Sequence, residues 1–316
     1  DKVVKAAKQY NIDGIITLAS DMPVRTVAAV ANELDIVGIS EETALKTTDK
    51  RHMRDCLKEN HVPIPEYFEI DNYNDFLIII NRFNKRCIVK PVDNSGSRGV
   101  FLLDDLNNND AASLAYEYSK RYSRNGKILI EDFMDGPEVS VETISIDGEV
   151  HIIAITDKLT TGAPNFVEME HSQPTQLPQK EINRLNEIVK AAVKAVGIKE
   201  GPSHTEIIIT NDGPKIVEVG ARLGGDNIST YLVPLSTGID IVECCIQIAL
   251  GIKPDLQSRI KKAAAIRYIT SDPGRIINIH CVDEAKKIQG IKNITLTKGL
   301  GDIATEINSS IDRIGY

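Results

Sequence analysis

Residues 206–222 read EIIITNDGPKIVEVGAR, two β-branched runs on either side of Asn211, Asp212 and Gly213. That composition predicts a hairpin, with a turn that places Gly213 at positive φ. Pairing centred on Asp212 sets Glu206 opposite Glu218, give or take one residue where a bulge shifts the register. Facing carboxylates destabilise a sheet, and their neighbours Ile207 and Val217 suggest partial burial, so a cation is expected to hold the pair. Hard oxygen ligands on rigid strands suit Mg²⁺, with Mn²⁺ as the alternative, completed by water and substrate phosphates. The competing assignment puts both glutamates on a solvated face, paired with Lys or Arg. Arg222 and the following Leu223, Gly224, Gly225 and Asp226 favour the metal, because a guanidinium and exposed amides beside it can neutralise a transferring phosphoryl group.

Working outward, a helix is expected over residues 179–196, with Leu185, Val189 and Ala192 on its apolar face. A second hairpin, 139–146 with 149–155, turns at Asp147 and Gly148, so the surrounding sheet should be largely antiparallel. The polar, proline-marked stretch 158–178 reads as a substrate loop. Upstream, residues 65–130 alternate as strand, helix, strand (86–90), glycine loop, strand (100–103), helix (110–122) and strand (127–131), a small α+β lid. Thr48 and Asp49 offer an N-cap to the helix before it. Residues 1–48 read as helix, strand (14–18), helix (23–34) and strand (36–38), half of a doubly wound α/β domain. A helix at 240–250 and a βαβ-like segment from 263 to 316 follow.

The fold class is therefore α/β and α+β multidomain. Its expected units are 1–48, a linker helix and lid over 49–130, a catalytic core over 131–262 and a truncated C-terminal subdomain over 263–316. The chain opens and closes without capping signals and reads as an interior piece of a longer protein.

Within the lid, Asp93 to Val100 spell DNSGSRGV, whose glycines can turn backbone amides toward anionic oxygens. Lys90 ends the apolar strand that enters this loop, a compact charge suited to phosphate, and Pro91 fixes the exit. Glu131 ends the strand at 128–130 and is followed by Asp132, Phe133 and Met134, whose backbone and side chains could receive a purine.

Composition narrows the partners. A net charge of −8 and a pI near 5.4 argue against a nucleic-acid surface. No apolar run reaches membrane-span length and no export signal is visible, so a cytoplasmic location is expected. The five cysteines include no C-x-x-C pair and are expected to be spectators.

Taken together, Lys50, the IVKP run at 88–91, the loop at 95–100, residues 130–133 with Glu138, Glu206, and Glu218 with Arg222 resemble the ATP-grasp superfamily in order and spacing. The likeness is strongest to its branch of L-amino acid ligases and carbamoyl-phosphate-synthetase-like proteins, and residues 263–316 resemble the small C-terminal domain of the amino acid ligases. The resemblance implies a partial doubly wound N-terminal domain, a small lid, an antiparallel catalytic core and a small C-terminal domain.

It also implies roles. Lys50 and Lys90 would contact ATP phosphates beneath the loop of Ser95, Gly96, Ser97 and Gly99. Glu131 and Phe133 would lie at the adenine hinge, Glu138 on the ribose hydroxyls, and Glu206 with Glu218 on Mg²⁺. Arg222 with Lys90 would serve the transferred phosphoryl group and the acyl phosphate. One departure is Gly220, where many members carry Asn; the amino acid ligase branch tolerates a small residue there, and the number of metals is left open. The same branch points to Glu168, Glu170 and His171 at the acceptor site, with Gly224, Gly225 and Asp226 near the substrate. The charge of Asp226 is expected to favour a polar or basic side chain.

The expected activity is ATP- and Mg²⁺-dependent joining of a carboxylate to an amine through an acyl phosphate, with an amino acid as substrate. Homodimerisation is compatible with it, and no nucleic-acid or membrane partner is expected. The alternative ligase is a phosphoribosylglycinamide synthetase-like enzyme of a purine or cofactor pathway, which would want more cations over 158–178 than Lys158. The alternative of another class is an inactive nucleotide-binding regulator, against which the intact Glu206, Glu218 and Arg222 speak.

Overall fold

The computed structural model describes residues 2–83 and 86–316; Asp1, heading the expected first helix, and Asn84 and Lys85, inside the expected lid, lie outside the described residues. The chain opens with α1 (Lys2–Tyr10) and α2 (Val24–Leu34). The strands expected at 14–18 and 36–38 do not form, because a strand needs a partner strand to form a ladder and neither segment has one among the described residues. Residues 14–18 run along the surface of the core instead, with Ile16 and Leu18 exposed. A Cβ at Gly14 would stand 2.7 Å from the carbonyl oxygen of Ala249, and the Leu18 carbonyl accepts from the Leu223 amide. The short α3 (Glu41–Lys46), unforeseen from the sequence, is capped by Ser40. α4 (Lys50–Glu59) begins where expected, the Asp49 carboxylate accepting from the His52 amide at 3.1 Å.

The lid follows the expected order within a residue or two. It comprises β1 (Tyr67–Ile70), α5 (Tyr73–Ile80), β2 (Cys87–Pro91), β3 (Phe101–Leu103), α6 (Asn109–Tyr122) and β4 (Ile128–Asp132). The strands form an antiparallel sheet in the order β1-β4-β2-β3. Phe76, Ile80, Ala115 and Tyr116 of its helices pack on Val89, Ile128 and Ile130 of its strands.

The larger sheet contains β5 (Glu138–Ile146), β6 (Glu149–Thr160), β7 (Glu168–Gln173), β8 (Gly201–Thr210), β9 (Gly213–Gly220) and β10 (Ala264–Arg267). Its order is β10-β7-β6-β5-β8-β9 and every pairing is antiparallel. The β5–β6 turn has Asp147 at φ 53° and Gly148 at φ 76°, the positive-φ pair its sequence requires. α7 (Gln179–Val196) buries Leu185, Val189, Ala192 and Val196 on Val139, Val141, Ile207 and Ile216, with Met53 and Leu57 of α4 in the same core. A π-helical turn (Ile228–Leu232), α8 (Val233–Thr237) and α9 (Ile241–Ala249) pack with Ile144, Ile146 and Ile266 in a second core.

Two expectations fail here. The stretch 158–178 is not one loop: β6 runs to Thr160 and β7 occupies Glu168–Gln173. A strand that faces a polar site loses the apolar alternation by which strands are recognised. The βαβ-like arrangement after residue 263 also does not form, since β11 (Gly274–Arg275) and β12 (Ile303–Ala304) pair antiparallel. The intervening α10 (Val282–Lys286) buries no residue and could not cover a parallel sheet.

Candidate active site

A cavity of about 610 Å³ lies between the lid and the six-stranded sheet, and every expected site residue lines it except Gly99, Glu170 and Gly224. Gly99, at φ 80°, lies under the loop, where a Cβ would meet the Tyr122 Cβ at 2.6 Å. Glu170 is drawn away by Arg267 at 2.6 Å. The Gly224 amide donates to the Glu142 carboxylate at 2.9 Å, leaving no room for a side chain.

The β8–β9 hairpin pairs Glu206 with Glu218 directly, and the register shifts just beyond, between Glu206 and Ile207. The bulged Val217 turns its carbonyl to accept from the Arg54 guanidinium at 2.8 Å. Each glutamate has a lysine partner: Lys50 donates to Glu218 at 3.0 Å and Lys158 to Glu206 at 2.9 Å. Lysine pairing was the competing expectation, and the structure satisfies it without removing the carboxylates from the cavity. Among the described residues no cluster of three or more His, Cys, Asp or Glu forms a ready cation cage. Two strand-borne carboxylates, 23% and 20% exposed, fit an ion that takes one or two protein oxygens and fills its shell from water and phosphate.

Lys50 also donates to the Asn94 carbonyl at 2.6 Å, so the first residue of α4 reaches both the glycine loop and a proposed metal carboxylate. The loop carries Gly96 at φ 65° and Ser97 at φ 55°, with Gly96, Ser97 and Arg98 exposed. Lys90 is buried with Glu131 at 2.6 Å. Burial, with Arg54 and Lys50 nearby, pushes the Lys90 ammonium down to about 8 despite that carboxylate. Glu131 is gripped from the other side by Arg54, at 2.8 and 3.2 Å. Burial alone would raise Glu131, but Arg54 and Lys90 outweigh it and hold the carboxylate well below its usual range. The Glu131 side chain is thus taken up by Arg54 and Lys90, and the purine expectation at this strand end falls to its backbone and Phe133. Phe133 itself lies under the Arg86 guanidinium, 4.1 Å from ring centroid to carbon.

Three residues of the site were given no role there from the sequence. Arg54 lies one helical turn after Lys50, a spacing that could have revealed it. Asp21 holds Arg222 by two bonds of 2.8 and 3.2 Å, fixing the guanidinium at the cavity wall. Lys158 faces Glu138 at 2.5 Å and Glu168 at 3.5 Å as well as Glu206.

At the other end, a register shift between Leu159 and Thr160 brings Glu168 and His171 to the same face. Asp226 does not present a free charge to a basic substrate, because Arg313 takes both its oxygens at 2.9 and 3.2 Å. The Arg313 guanidinium stacks 3.7 Å over the Tyr268 ring, and the buried His171 lies 4.0 Å from Asp226. On β8 itself, two residues before Glu206 and lining the same cavity, His204 is bonded to the fully buried Glu142 at 2.5 Å. Burial opposes its charge, yet Glu142 pushes the imidazole up to about 9.

Residues 83–230 match the model of the ATP-grasp domain and residues 267–316 that of L-amino acid ligase C-terminal domain 2. Protein y4rH of Sinorhizobium fredii is 28% identical over 99% of this chain and 64% of its own length. A phosphoribosylamine–glycine ligase of Methanococcus vannielii is 27% identical over 85% of this chain and 66% of its own. The chain thus spans just under two thirds of either relative. The crystal structure of an L-amino acid ligase from Bacillus licheniformis superposes with a TM-score of 0.85 at 27% identity, over 99% of this chain and 77% of that one. The order of lid, paired-glutamate sheet and glycine loop, together with these matches, identifies residues 83–230 as an ATP-grasp domain and relates the chain to the L-amino acid ligase and phosphoribosylamine–glycine ligase branch of that superfamily.

Proposed function

We propose that this chain joins a carboxylate to an amine at the expense of ATP, through an acyl phosphate, and that the carboxylate is an amino acid. The observation that carries the reading is the Glu206–Glu218 pair, set in register in the same cavity as Arg222, Lys50 and Lys90. Lys50, Lys90 and the amides of the 95–99 loop would bind the ATP phosphates, with the base at the strand end near Phe133 and the ribose at Glu138. Mg²⁺ held by Glu206 and Glu218 would supply charge neutralisation at the β- and γ-phosphates.

A substrate carboxylate oxygen attacks the γ-phosphorus in line, the bond to ADP breaks, and the acyl phosphate forms beside Arg222. Asp21 keeps that guanidinium aimed, so no reorganisation is needed as charge develops. The amine then attacks the acyl carbon, phosphate leaves, and the amine loses a proton. Positioning and charge carry both steps, and no nucleophile on the protein is required. Closure of the 95–99 loop would keep water from the acyl phosphate.

The amino acid reading draws on the C-terminal match at residues 267–316. A phosphoribosyl amine is the poorer fit, because Lys158 is the only Lys or Arg over residues 158–178 that could meet its phosphate. The test is phosphate release from ATP and Mg²⁺, screened against pairs of amino acids with Glu218→Gln as control. Release that needs two amino acids and disappears in the variant is the expected result. No release with any pair, despite tight ATP binding, would sink the amino acid reading.

A further inference from the structure

Lys158 is the most heavily engaged cation of the cavity. Its side chain is 3% exposed, and its ammonium lies 2.5 Å from Glu138, 2.9 Å from Glu206 and 3.5 Å from Glu168. Lys50 holds Glu218 in the same way at 3.0 Å. Both carboxylates assigned above to the metal thus already carry an ammonium partner. The two lysines face four carboxylates, a deficit of two positive charges, which one divalent ion would offset.

We propose that Lys158 is a positioning residue that stands in for the divalent cation among Glu138, Glu206 and Glu168, so that the cation enters only together with the nucleotide. The inference rests on the ATP-dependent reading above. A cation arriving alone must approach two ammonium groups whose side chains are 3% and 10% exposed, where repulsion is weakly screened. A triphosphate arriving alone meets four carboxylates. When both arrive, phosphate oxygens take Lys50, which already borders the glycine loop through Asn94, and release Glu218 to the ion. Lys158 cedes Glu206 but keeps Glu138 and Glu168, so its charge never lacks a partner. The lysine then spans the proposed ribose carboxylate and the proposed acceptor carboxylate.

A lysine that merely closed the sheet would affect folding and leave cation affinity alone, so the two roles separate in one measurement. Mn²⁺ is titrated into nucleotide-free protein and the free ion read by electron paramagnetic resonance. Lys158→Met is expected to bind Mn²⁺ about tenfold or more tightly than the wild type, since the repelling charge is gone and its carboxylates are free. Lys158→Arg, which keeps the charge, should stay near the wild type. Unchanged or weaker Mn²⁺ binding by Lys158→Met overturns the proposal. If that variant does not fold, Lys158→Gln, whose amide still donates to two carboxylates, gives the same reading. Wild-type protein that binds Mn²⁺ as tightly without as with a non-hydrolysable ATP analogue also overturns it. These outcomes leave amino-acid-dependent phosphate release untouched, whereas loss of that release with nucleotide-dependent Mn²⁺ binding intact would sink the ligase reading alone.

Discussion

Lys90, proposed above to meet the ATP phosphates, is pushed down to about 8 chiefly by burial. As pH rises through that value its charge disappears, and with it the proposed phosphate contact. The kcat/KM for ATP is therefore expected to fall above about pH 8, and Lys90→Arg should remove that limb from the pH profile. The neighbouring Glu131 makes a different demand. Replacing it with Gln leaves Arg54 and Lys90 buried without their counter-charge, which should cost about 3–5 kcal/mol in denaturant unfolding. Lys90, Glu206 and Glu218 stand out in the sequence because each borders or interrupts an apolar run, whereas Lys50, between Asp49 and Arg51, is marked only by the family resemblance. Arg54, Asp21 and Arg313 do not stand out, because their partners lie 77, 201 and 87 residues away and no local pattern marks them. Asp226 reads as a free charge in the sequence for the same reason: the cation that occupies it, Arg313, comes from a distant segment.

At the level of elements, the hairpins carried most of the information. Turn chemistry at Asp147–Gly148 and at Gly213, combined with alternation, fixed two strand pairs and the facing glutamates before any coordinates. The same alternation failed for β7, whose Glu168, Glu170 and His171 read as loop because the strand serves a polar site. The glycine loop is an element whose shape is set by one buried residue. Gly99→Ala would place a Cβ against Tyr122 at a positive φ, so it should destabilise the protein by roughly 1 kcal/mol or more in thermal or denaturant melts. Under the phosphate-binding role proposed for the loop, nucleotide affinity measured by calorimetry should fall as well.

Across the whole molecule, an antiparallel sheet presents the paired glutamates, a separate lid presents Lys90 and the glycine loop, and the N-terminal segment reaches in with Asp21 to aim Arg222. The C-terminal segment closes the opposite end by clamping Asp226 with Arg313. Sequence patterns revealed the lid and the sheet, but not these two clamps, which exist only once the termini pack on the core. The central claim is that a carboxylate oxygen of the substrate becomes an oxygen of the released phosphate. It is tested most directly by supplying amino acids labelled with ¹⁸O in the carboxyl group, with unlabelled ATP and Mg²⁺, and analysing the phosphate by mass spectrometry. An acyl phosphate intermediate puts one labelled oxygen into each phosphate formed with the amide; phosphate that carries no label while the amide accumulates would contradict the account.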